Sequence, residues 1–374
     1  MRRDGDRVCY LHFGPHKTGS TSIQAMLRER ARALGRIGVH VAAGAPTGPG
    51  REASKPGEQT AGFLGRFGVL LRDGLGWGPV DPGRGNHSYL GVKSNFEGRR
   101  RLEDAPDWRR LSEDIANHSG PVVISGENIF RRIQHPQHYG QIVDFFLKRD
   151  YRLKLIGYVR DQVGWINSHY VQHIKNLRSS IGFRRYLDQV IAERQFEFEA
   201  MFANPLADDR VDFQVVSFEA AIRAGLERDF LNRIGGASIA HVPRRIANPN
   251  FGAKGVYVAR AVLRRHGGEL DSAQGLRRAL DLRLREVALA RGWEASPYMG
   301  FDEESARGVR DHFQTSNDAF SRRMFGRSWS DVAGVRLVSR NEFDPKSATA
   351  DERREVEETV TALGRMIAGR LAKG

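Results

Sequence analysis

Hydrophobic and polar positions along this chain fall into blocks that predict strands separated by helices. Val8-Cys9-Tyr10-Leu11-His12-Phe13 is a short apolar run with β-branched and aromatic members, preceded by charge and closed by Gly14, which is the pattern of a buried strand. From Ser20 to Leu34 the residues Ile23, Met26, Leu27 and Leu34 fall near one helical face. Ile37 to Val41 reads as a second strand, Pro121 to Ser125 as a central strand ending at Gly126-Glu127, and Val211 to Val216 as a further one. Leu153 to Val159 is a strand followed at once by Arg160-Asp161 and a helical stretch from Gln162 to Ile174. Beyond these the chain is helical: Leu276, Leu280, Leu284 and Val287 keep helical spacing, as do Val356, Val360, Leu363, Ile367 and Leu371. Strands alternating with helices predict an α/β fold with a parallel sheet and helices on both faces.

No internal repeat and no composition break is evident, so residues 1–374 are expected to form a single α/β domain, with 250–374 a helical C-terminal part that caps it and shapes an acceptor cleft. The interruption is a Gly-rich insertion, 44–100. Gly44 to Gly91 alone holds thirteen glycines and five prolines, far above average usage, with one helix expected around Phe63 to Leu71. It reads either as a substrate lid or as a surface excursion.

Composition narrows the function classes. With 40% hydrophobic and 28% charged residues a sizeable core can form and wholesale disorder is excluded. The lone cysteine, Cys9, excludes a disulfide framework and a Cys-based zinc site, and points to a reducing compartment. No apolar run approaches the roughly 18 residues of a spanning helix, and no signal-peptide pattern opens the chain, so a soluble, cytoplasmic protein is expected. The net charge of +14 favours anionic partners without choosing among nucleic acid, acidic glycans, phospholipid heads and a polyphosphorylated cofactor.

The segment Gly14-Pro15-His16-Lys17-Thr18-Gly19-Ser20-Thr21-Ser22-Ile23-Gln24 joins the first strand to the first helix. Two glycines five apart, a lysine between them and hydroxyl residues at the helix start are half of a Walker A motif. The unpaired N–H groups of a first helical turn and the helix dipole favour an anion there. Gly19 permits close backbone approach, Ser20, Thr21 and Ser22 bring hydroxyl donors, and Lys17 a movable charge. A nucleotide triphosphatase carries its lysine after the second glycine, where this chain has Ser20. The plainer alternative is a glycine turn and helix start with an incidental lysine.

Arg160 stands at the carboxyl end of its strand, where ligands of open α/β sheets bind, and Ser168 lies eight residues on, about two helical turns into the next helix. Such a pair can converge on one phosphate, although a strand-end arginine also serves as an ordinary ion-pair partner.

Together these segments resemble those of PAPS-dependent sulfotransferases (PAPS is 3′-phosphoadenosine 5′-phosphosulfate). GPHKTGSTSIQ resembles their 5′-phosphosulfate loop, closest to the bacterial branch whose loop reads GxHKTGTTS; YVRDQVGWINSHY resembles their 3′-phosphate motif. Ser125-Gly126-Glu127 is similar to that branch's strand-end Ser-x-Glu, and Gln314-Thr315-Ser316-Asn317 is a weaker match. Gln162 departs from the usual proline, and Gly164-Trp165 from more polar residues. The resemblance implies a P-loop-like sheet and transfer of a sulfuryl group from PAPS to an acceptor hydroxyl or amine, a glycan or glycolipid among the candidates, with release of the bisphosphate PAP. It implies that Lys17, Thr18, Gly19, Ser20, Thr21 and Ser22 cradle the phosphosulfate and that Arg160 and Ser168 hold the 3′-phosphate. Lys17 would stabilise charge on the leaving phosphate, and Glu127, or else His16, would take the acceptor's proton. Glu127 is also open to a helix-capping or Arg-pairing role.

No metal is expected. His169 and His173 share a helix face, but no Glu follows the first and no third ligand is evident. Two competing classes are a Mg²⁺-dependent P-loop kinase, against which the misplaced lysine stands, and a nucleic-acid-binding protein. The latter is not expected, because no recognised nucleic-acid motif is present and the arginines are scattered. A sulfotransferase fold without activity is a further alternative.

Overall fold

The computed structural model describes residues 7–15, 17–44, 85–239, 251–272, 275–334 and 336–371. The expected Phe63–Leu71 helix and His16 lie outside the described residues. Internal packing divides the chain into two units, Met1–Val159 with Phe202–Arg245, and Arg160–Met201 with Ile246–Gly374.

The first unit is built on five strands, β1 (Val8–His12), β2 (His40–Val41), β3 (Val122–Ser125), β4 (Arg152–Val159) and β5 (Asp212–Ser217), in the order β2-β3-β1-β4-β5. Every pairing is parallel, as the alternating pattern predicts. β1 lies at the centre, with His12 in register with Ser125 of β3 and Ile156 of β4. One face carries Val41, Val123, Ile156, Tyr158 and Val216 against Ile23, Met26, Leu27 and Leu34 of the Ser20–Arg36 helix and Phe230 and Leu231 of the Leu226–Arg233 helix. Each such buried side chain contributes about 1.5–3 kcal/mol by leaving water. On the other face Phe13 packs with Phe130, Phe202 and Phe213, and Gly157 leaves room for Phe13.

β2 is shorter than the expected Ile37–Val41 strand. The preceding helix runs on to Arg36, Ile37 closes it through Leu34, and Gly38 turns the chain at φ +82°, so only His40 and Val41 are left to pair. The described end of the Gly-rich stretch is no solvated excursion: His87, Leu90, Asn95 and Phe96 are buried, and Trp108 Nε1 donates to Leu90 O at 3.1 Å.

Among the described residues of the second unit every regular element is a helix, and one isolated bridge joins Met299 to Asn341. Within it Trp165 of the Gln162–Lys175 helix meets Phe196 and Phe198, and Phe198 meets Phe320 and Trp329. The late periodicities are realised: Leu276, Leu280 and Leu284 are buried in the Leu276–Ala290 helix, and Val356, Val360, Leu363 and Ile367 in the Ala350–Leu371 helix. The apolar stripe of the former continues through Ala288 rather than Val287, because a four-residue step from Leu284 stays on the buried side. Among the described residues no helix is long and apolar enough to cross a membrane.

Candidate functional site

The first constellation is the turn after β1. Phe13 N–H still bonds Ile156 O at 3.2 Å; the chain then leaves the sheet through Gly14 and Pro15. Thr18 is fully buried and its hydroxyl donates to Pro15 O at 2.7 Å, so its side chain closes the turn on itself. Lys17 at φ +72° and Gly19 at φ +83° put two left-handed residues around Thr18, a concave backbone shape of the kind that holds anions. Gly19 is required twice over, by its φ and because a Cβ there would lie 2.2 Å from Leu226.

The helix that follows begins at Ser20, with glycine at its N-cap, no side-chain cap and no acidic residue in its first turn. Such an end leaves donors and the positive pole of the dipole for an anion. Two polar atoms are buried beneath it without a partner among the described residues, Ser20 Oγ and His12 Nε2. Both lie against Gly14: a Cβ there would stand 2.3 Å from the first and 3.0 Å from the second, so only glycine fits. Buried polar atoms ordinarily find partners, so an unpartnered pair at an uncapped helix start suits a polar ligand. Thr21 is exposed and Ser22 half-buried on the same turn.

A histidine network braces the neighbouring strand end. His12 Nδ1 is 2.8 Å from Ser125 Oγ, Gly126 N–H donates to His12 O at 2.9 Å, and Ser125 N–H donates to His87 Nδ1 at 3.0 Å. Because His87 Nδ1 accepts, its proton is on Nε2, 2.9 Å from Ala42 O. Burial pushes His12 down to about 3 and His87 down to about 4, so both rings are neutral at pH 7. Glu127 follows this strand end, half-buried, with its N–H donated to Ser88 Oγ at 3.0 Å.

The second constellation belongs to the second unit. Arg160 directly follows β4 in the chain, and its Nη1 donates to Ser168 Oγ at 2.9 Å, so the structure joins these two residues as their spacing suggests. Gly164 makes this possible: a Cβ there would stand 3.1 Å from Arg160 Nη2 and 3.2 Å from Nε, so the guanidinium lies across the first turn of the helix. Trp165, the other departure from the sulfotransferase pattern, is 2% exposed and serves the core. Gln162 exchanges two hydrogen bonds with Asn317, at 2.8 and 2.9 Å, and donates to Phe196 O at 3.2 Å. The residue standing in place of proline therefore anchors the helix start to the Gln314–Asn317 segment. Burial raises the Asp161 carboxyl, opposed by Arg310 at 4.0 Å.

Of the sequence-derived candidates, Lys17 to Ser22 form the turn, Arg160 and Ser168 meet, and Glu127 stands at the end of β3. His12, His87 and Ser88 emerge only from the structure, whereas Asn317 belongs to the segment that the sequence matched weakly. His12 carried a signal, a polar residue inside an apolar strand run; His87 and Ser88 carried none. Comparison with protein-family models, with curated proteins and with solved structures returns no match to this chain.

Proposed function

We propose that the protein is a PAPS-dependent sulfotransferase, moving a sulfuryl group to an acceptor hydroxyl or amine and releasing PAP. The observation that carries the reading is the pair of buried atoms without a partner among the described residues, His12 Nε2 and Ser20 Oγ, beside a glycine-capped helix start in a turn bearing Lys17. That turn suits a phosphosulfate, and the Arg160–Ser168 pair suits a phosphate monoester, the two anionic groups that PAPS has on one nucleotide.

In this reaction the bond from sulfur to the bridging phosphate oxygen breaks and its electron pair stays on the phosphate. A new bond forms between sulfur and the acceptor atom, in line with the leaving oxygen, by analogy with phosphoryl transfer. Lys17 and the first-turn amides offset the charge that grows on the leaving phosphate, which removes the need for a metal clamp. Glu127 takes the acceptor's proton. Glycans and glycolipids are the acceptor class to try first, given the net charge of +14. A cytoplasmic setting belongs to the same proposal and accords with the single, buried Cys9 thiol.

The test is thermal unfolding with PAP, PAPS and ATP, each with and without Mg²⁺. A ligand at 100 times its Kd stabilises by about 2.7 kcal/mol, enough to raise Tm measurably. A metal-independent rise with PAP, lost in Lys17→Ala and in Arg160→Ala, is the expected result. Stabilisation by Mg²⁺–ATP but not by PAP would replace this reading with a kinase.

A further inference from the structure

A different set of chemistry-bearing side chains lies in the first unit, towards the other end of the strands. His40 opens β2 in register with Val122, the first residue of β3, whereas the β1 turn follows His12, level with Ser125. Three residues of strand rise separate the two levels, about 10 Å. Here His40 Nε2 is 2.9 Å from Asp114 Oδ2, and the His118 ring is stacked on the His40 ring with centroids 3.5 Å apart and planes at 18°. One ligand atom from each of His40, Asp114 and His118 lies within 4.8 Å of the other two.

The gathering of the three side chains is the informative part. The stack itself is not a coordination geometry, because near-parallel rings aim their in-plane nitrogen lone pairs side by side; sharing one cation requires the His118 ring to turn so that a nitrogen faces the edge where His40 meets Asp114. At bond lengths of about 2.0–2.1 Å, tetrahedral ligand atoms stand roughly 3.4 Å from one another. Here one pair stands at 2.9 Å and every pair lies within 4.8 Å, so small side-chain movements reach that distance.

The framework is rigid. His40 N–H bonds Pro121 O at 2.8 Å, and Asp114 is in the last turn of the Pro106–Ala116 helix, four residues before His118, whose N–H bonds Ile115 O at 3.2 Å. Asp114 Oδ2 also accepts Ala43 N–H at 2.9 Å, the kind of outer contact that orients a ligating carboxylate. The side chains of His40 and Asp114 are 14% and 21% exposed, open enough for an ion to enter and keep water.

We propose that His40, Asp114 and His118 bind a divalent transition-metal ion, zinc first, with water completing the coordination. Two imidazoles and one carboxylate suit zinc or cobalt, whereas Mg²⁺ and Ca²⁺ require more oxygen ligands. The ion takes the place of the proton that His40 and Asp114 share. It ties the two-residue edge strand β2 to the helix preceding β3, a stabilising role that does not depend on the sulfotransferase reading.

The experiment uses the full chain, purified without a polyhistidine tag and stripped with chelator, titrated with Zn²⁺ by calorimetry and with Co²⁺ by visible absorption, and melted with and without Zn²⁺. One Zn²⁺ per chain, a higher Tm and the intense Co²⁺ bands of four-coordination are expected. His118→Ala and Asp114→Asn should each weaken binding by more than the roughly 10–100-fold that losing an outer contact costs. Asp114→Asn keeps an acceptor for Ala43 N–H, so its loss of zinc is separable from misfolding. His138→Ala, in the second stacked pair with His135, is the control and should leave binding unchanged. The proposal is overturned if no stoichiometric zinc binds, or if binding is unaltered in both ligand variants or follows His138 instead.

Discussion

The turn after β1 and the Arg160–Ser168 pair, the two places proposed to hold an anion, are built in different ways. The first is made of backbone: left-handed Lys17 and Gly19, an uncapped helix start, and a tight packing of Gly14 over Ser20 and His12. The second is made of one long side chain laid over Gly164 and steadied by Ser168, on a helix whose start is pinned by Gln162 and Asn317, 155 residues apart. A backbone site tolerates change at most side chains and fails when a glycine gains one. A side-chain site tolerates backbone adjustment and fails when the guanidinium or its support is removed.

Acid is expected to separate them most strongly, because buried neutral imidazoles brace the first. The unfolded chain's histidines take up protons below about 6.5, whereas His12 and His87 in the folded chain refuse them until about 3 and 4. Stability therefore falls as pH drops from 6.5 towards 4, by about 1.4 kcal/mol per pH unit for each ring. Urea unfolding between pH 7 and pH 5 measures this, and a flat profile would refute the assignment of both rings as neutral.

Lys17→Ala should lower turnover with PAPS about 10²–10³-fold, the usual cost of one charge-stabilising donor, with little change in Tm. Steady-state kinetics decide it; unchanged turnover would leave Lys17 without a chemical role. Gln162→Pro should cost about 1–3 kcal/mol of stability, since proline is compatible with a first helical position but strands the buried Asn317 amide. Chemical unfolding reads the loss, and a neutral result would show that the pair is dispensable.

Gly164→Ala is the subtlest test. Alanine favours the helix by up to about 1 kcal/mol yet presses on the guanidinium, so Tm should hold or rise while the preference for PAP over the same nucleotide lacking its 3′-phosphate falls. Loss of both preference and stability together would mean that Gly164 serves packing alone.

Legibility followed the same division. The β1 turn could be read because glycine spacing after an apolar run is a local signal of backbone shape. All five strands were readable from apolar runs, although β2 shrank when Gly38 turned the chain. The Pro106–Ala116 and Pro136–Leu147 helices each carry proline in the first turn, a start signal that their lengths would have supported. What could not be read were contacts whose partners are far apart in the chain, such as His87 beneath Ser125 or Asn317 against Gln162.

By itself the sequence determined the parallel α/β order, the glycine turn after β1 and the spacing of Arg160 and Ser168, because each depends on periodicity or on residues within a few turns of one another. Only the tertiary structure decided that Thr18 closes the turn, that His12 and Ser20 bury polar atoms without partners among the described residues, and that His40 meets Asp114 and His118. Those facts depend on which side chains burial brings together and which partners it denies them, and no local pattern encodes that.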